Sequence, residues 1–117
     1  MEQVSFEKRQ PANIEAEEAI IAAMVLDKEV INNVVQLLNA SDFYREENGI
    51  LFETIASLSD RGEVIELLTI AEELRKKNLL EKTGGLSEIA RIANSTATTQ
   101  GVDRYAEIVK ERSTLRQ

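Results

Sequence analysis

The chain has no cysteine, no histidine and no tryptophan, and a single proline in 117 residues. Without thiol or imidazole it has no disulfide, no thiolate or imidazole metal ligand and no nucleophile–base triad of the common kinds. Cysteine-free composition fits a reducing compartment. The opening MEQVSFEKRQ lacks the apolar segment of a signal peptide, so the sequence reads as cytoplasmic, with a short arm at its start. One proline and five glycines are too few breakers for an all-β fold, which needs turn signals roughly every 8–12 residues. Apolar runs reach nowhere near the roughly 20 residues of a membrane span. Basic charge is also short. Fourteen Lys and Arg against 21 Asp and Glu leave a net charge of −7, which repels phosphate backbones and argues against unaided nucleic-acid binding.

What remains is helix. With 43% hydrophobic residues but only three Phe and two Tyr, the core must be built from Leu, Ile, Val and Ala. The stretch Asn13 to Leu26, NIEAEEAIIAAMVL, is predicted as the central helix. Asn13 caps it, and Glu15, Glu17 and Glu18 put negative charge where the macrodipole favours it. From Ala19 to Leu26 every residue is apolar, so this half must be covered on several sides. Ile20-Ile21 and Val25 would also suit a buried strand, but the Ala-rich remainder and the cap favour helix.

Asp27 ends that helix and caps a second, with Val30, Ile31, Val34, Val35, Leu37 and Leu38 on one face. Asn39 is read as its left-handed C-cap, and Phe43 with Tyr44 as a plug at the core edge. A third helix begins near Arg45 or Glu46, turns Leu51, Phe52, Ile55 and Leu58 inward and stops at Gly62. Gly49 within it costs about 1 kcal/mol relative to Ala. A fourth, Leu67 to about Lys77, buries Leu67, Ile70, Ala71 and Leu74. Gly84-Gly85 turns the chain into a short fifth helix with Leu86, Ile89, Ala90 and Ala93 inward. After the polar connector NSTATTQ, Gly101 opens a last helix still running at Gln117. The fold class is all-α, a compact bundle of about six helices with one core.

Carboxylates are the only candidate chemistry. Glu15, Glu17, Glu18, Glu46, Glu47, Glu72 and Glu73 would be the donors of a carboxylate-bridged metal bundle, but that site wants Glu-x-x-His and there is no His. They are read instead as solvated helix faces and dipole complements. Gly84-Gly85 lacks the Lys-Ser/Thr of a phosphate loop and the third Gly of a dinucleotide fingerprint. No catalytic, cofactor or metal residue is assigned, which leaves an interaction module.

Several segments point further. Pro11-Ala12-Asn13-Ile14-Glu15-Ala16-Glu17, Ser41-Asp42-Phe43-Tyr44, Leu51-Phe52, Arg61-Gly62-Glu63, Leu68-Thr69-Ile70-Ala71-Glu72-Glu73-Leu74, Gly84-Gly85-Leu86 and Tyr105-Ala106-Glu107-Ile108-Val109-Lys110-Glu111-Arg112, in this order and spacing, closely resemble the N-terminal domain of the bacterial replicative DNA helicase, the DnaB family. The resemblance implies a flexible arm over 1–11, a globular helical head over 12–100, and in 101–117 the first helix of a helical hairpin. It implies a scaffold that self-associates, as a dimer and within a hexameric ring, and that docks primase and in some systems a helicase loader. ATP, Mg and DNA would belong to a motor domain, and no Walker A sequence occurs in these 117 residues. The exposed apolar stripe of the last helix, Tyr105, Ile108, Val109, Arg112 and Leu115, is the expected interaction face. A free-standing helical adaptor is the alternative.

The chain departs from the family at caps. Gly62-Glu63-Val64-Ile65-Glu66 lacks the Pro, and has Glu for the Asp, that usually precede the fourth helix. Ala22 or Ala23 stands where the first helix carries Gly, and Ala97 and Gly101 stand where the connector has Thr-Pro and Asn.

Overall fold

A computed structural model describes residues 12–117. The expected arm lies outside the described residues. Among the described residues six α-helices follow one another: α1 (Ile14–Leu26), α2 (Lys28–Val34), α3 (Glu46–Asp60), α4 (Leu67–Lys76), α5 (Gly85–Ala93) and α6 (Val102–Arg116), with a 3-10 turn at Ala40–Asp42. Among the described residues there is no strand.

Helix α1 is the axis. The Asn13 side chain accepts from the Ala16 N–H at 2.9 Å, and Asp27 closes α1 through its own N–H while its side chain accepts from Glu29 and starts α2. Ile20, Ile21, Ala22, Ala23 and Met24 are all buried. Residues 20–24 leave no solvent face, and α2, α3, α5 and α6 pack around α1, while Leu26 at its end is exposed.

The surrounding helices are one-sided. Helix α3 turns Leu51, Phe52, Ile55 and Leu58 inward, as its spacing predicts, and Phe43 meets Phe52 with ring centroids 5.0 Å apart. Tyr44 is exposed, so only half of the expected aromatic plug enters the core. In α2 and the turn after it, Val30, Ile31, Val34 and Leu38 point inward while Val35 and Leu37 do not. The helix ends at Val34, and Leu37 lies beyond its last turn. In α5 the inward pair is Ile89 and Ile92, and Leu86 is exposed.

Two connections also differ from expectation. Asn39 is extended, not left-handed, because its N–H is taken by the Asp42 carboxylate at 2.8 Å. Among the described residues the non-glycine residue in the left-handed region is Asn78, where the Leu79 N–H returns to the Leu74 carbonyl at 2.8 Å and closes α4. At the start of α4, where Glu66 replaces the better cap, the Thr69 hydroxyl accepts from the Glu66 N–H and lies 2.7 Å from the Val64 carbonyl. Gly49 has a packing reason. The 3-10 turn crosses α3 there, and a Cβ would sit 2.6 Å from the Ala40 carbonyl oxygen.

Candidate interaction surface

Helix α6 carries two stripes. Val102, Ala106, Val109 and Ser113 are buried against the head, where α6 makes a broad contact with α1. Tyr105, Ile108, Arg112 and Leu115 form the second stripe, turned about 110° around the helix axis from the first. Of the five residues expected on the interaction face, Val109 therefore lies in the head core. Ile108 and Arg112 are half-buried, Ile108 against that core and Arg112 through a 3.0 Å hydrogen bond to the Ala12 carbonyl. Tyr105 is 37% and Leu115 63% exposed. On the other flank, Leu37, Ala106, Glu107, Lys110 and Glu111 line an open groove of 340 Å³.

Two buried carboxylates fix the corner between α2 and α3, and one of them, Asp42, reaches this helix. Glu17, 1% exposed on the inner side of α1, accepts from the Tyr44 N–H at 2.6 Å, the Arg45 N–H at 3.4 Å and the Asn48 amide at 3.0 Å. Asp42 accepts from the Asn39 N–H, from the Ser113 hydroxyl at 2.7 Å and from the Lys110 ammonium at 3.3 Å. Burial resists ionisation of Asp42, but those three donors outweigh it and hold the carboxyl below its ordinary range.

Several other acidic residues have basic partners. Glu18 and Glu88 both bond Arg91, tying α1 to α5, Glu46 meets Lys82 and Glu72 meets Arg75. Glu73 is buried and takes both guanidinium nitrogens of Arg61, at 2.9 and 3.2 Å. Arg61, with Lys77 beside it, draws the Glu73 carboxyl from its ordinary 4.5 to about 2. Glu17 and Glu73 are thus not the solvated faces expected of them. Their signal was positional: Glu17 falls between Ala16 and Ile20, and Glu73 between Ile70 and Leu74, on stripes that point inward. Among the described residues no three acidic side chains converge as metal ligands.

A family model, the DnaB-like helicase N terminal domain, matches residues 9–111. The chain belongs to this family. Replicative DNA helicase DnaC of Bacillus subtilis is 40% identical over 106 residues, covering 91% of this chain and 23% of the relative. Replicative DNA helicase DnaB of Geobacillus stearothermophilus is 35% identical over 116 residues, covering 99% of this chain and 26% of the relative. The chain thus spans about a quarter of the length of these curated relatives. The crystal structure of the N-terminal domain of DnaB helicase from Mycobacterium tuberculosis superposes with a TM-score of 0.87 at 31% identity, over 92% of this chain and 78% of that one. The helical head of this DnaB-like domain is therefore the family fold. No described helix in it is long and apolar enough to cross a membrane.

Proposed function

We propose that this chain is the N-terminal scaffold of a replicative DNA helicase, which associates with copies of itself through the outer stripe of α6 and presents the head to primase and to a loader. In this reading the hairpin starts at Gly101. ATP, Mg, strand separation and most DNA contact belong to a motor domain outside these 117 residues. The observation that carries it is the division of α6 into a stripe already used by the head and a second on which Leu115 remains 63% exposed.

Burying two or three such side chains is worth roughly 1.5–3 kcal/mol each before ordering costs, so association of this piece is weak and concentration-dependent. Leu115 is the residue to change. Ile108 also touches the head core, and a charge there would confound folding with association. Sedimentation velocity over a concentration series should show a monomer–dimer equilibrium for the wild type. Leu115→Asp combined with Tyr105→Glu should give monomer at every concentration, with an unchanged helical signal. A wild type that stays monomeric throughout, or a variant that dimerises equally well, refutes the assignment of the stripe.

A further inference from the structure

The two ends of α6 are held by different forces. Val102, Ala106 and Val109 sit in the head core, and beyond Val109 the helix buries no apolar side chain. Leu115, the one aliphatic residue there, is turned to solvent. What fastens this end is a set of polar contacts that converge on one residue. The Ser113 hydroxyl donates to Asp42 Oδ1 at 2.7 Å, and Lys110 Nζ lies 3.4 and 3.3 Å from Oδ1 and Oδ2. Arg116 donates to the Asp42 carbonyl at 2.8 Å. The Arg112 bond to the Ala12 carbonyl lands elsewhere, and the Arg116 guanidinium also lies over the Tyr44 ring, 5.4 Å from its centroid.

On its own side Asp42 is firmly seated. The Asn39 N–H donates to Oδ2, the neighbouring Phe43 ring packs on Phe52, and Glu17 holds the Tyr44 N–H two residues on. We propose that Asp42 is a latch: it fastens the last turns of α6 to the head, and its loss frees those turns while the first half of the helix stays docked. A charged acceptor is needed because it meets an ammonium and two neutral donors together, and hydrogen bonds to an ionised partner are roughly twice as strong as neutral ones. An amide of the same shape would turn a donor toward one of them. Leu115 lies on the latched turns, so, resting on the function proposed above, the latch also sets the direction in which the association stripe faces.

The absence of native cysteine makes the test direct. Spin labels at Glu53→Cys on α3 and Thr114→Cys at the far end of α6 report the latched turns. A control pair at Glu53→Cys and Asp103→Cys reports the docked end. Distances are measured on dilute protein, so neither the method nor its outcome depends on self-association. With Asp42 present, both distributions should be narrow. Asp42→Asn should broaden the 53/114 distribution about twofold and leave 53/103 unchanged. The pair Lys110→Met and Ser113→Ala, which leaves the corner itself intact, should do the same if Asp42→Asn fails to fold. Equal broadening of both distances would show that the helix is lost as a unit, and an unchanged 53/114 distance in both variants would show that no latch exists. Either result overturns the proposal.

Discussion

Helices α1 and α6 lie against each other, yet they relate to solvent in opposite ways. The second half of α1 has no polar side, its residues 20–24 are buried, and four helices pack on α1. Helix α6 is mostly polar, lends one narrow stripe to the same core and leaves a second, partly apolar stripe only half covered, with Leu115 exposed. An all-apolar helix can only be interior, so its residues speak of stability. A one-sided helix with apolar surface left over speaks of contacts still to be made. In this DnaB-like domain the search for function therefore belongs on α6 and on the corner that fastens it.

The contrast can be broken at its strongest point first. Ile20→Ala in α1 removes fully buried volume from the centre and should lower stability by about 2–5 kcal/mol in urea unfolding; a loss under 1 kcal/mol would mean that α1 is not the axis. Next is Glu17→Gln. The amide keeps the shape but turns a donor toward the N–H groups of Tyr44 and Arg45, and the expected cost is about 1–3 kcal/mol. The heteronuclear NMR shifts of residues 42–48 should change while those of α5 stay in place. The smallest effect is expected at Leu115→Ala, which should stay within about 0.5 kcal/mol of wild type in dilute protein. Were it to match Ile20→Ala, the outer stripe would be part of the head and the distinction between the two helices would fall.

Much of the fold was legible because it is written locally. Asn13 and Asp27 announce the bounds of α1 by side-chain chemistry alone, and the 51, 52, 55, 58 spacing names the inner face of α3. The family resemblance spans nearly the whole chain. What escaped was long-range. The partners of Glu17 lie 27 to 31 residues away, and Ser113 lies 71 from Asp42, so position on an inward stripe could mark Glu17 as buried but no neighbour in sequence names what either carboxylate binds. Val109 was misplaced for a related reason. Periodicity shows that α6 is amphipathic, but two apolar stripes about 110° apart look like one broad face until the direction of approach of α1 is known. Asn39 and Asn78 both follow helix ends; Asn39 is kept extended by the reach of the Asp42 side chain, while Asn78 turns left-handed where the Leu79 N–H returns to Leu74.

The close passage of the 3-10 turn over Gly49 bears on any effort to harden this domain by design. Replacing a mid-helix glycine by alanine is among the safest thermostabilising edits, normally gaining about 1 kcal/mol from propensity alone. Here the added methyl would meet the backbone oxygen of Ala40 at 2.6 Å, an atom that cannot swing aside as a side chain could. The turn would have to lift, taking Asp42 and the end of α6 with it. A library built on helix propensity would thus choose Gly49 early and lose, at one position, both packing and the bearing of the terminal helix.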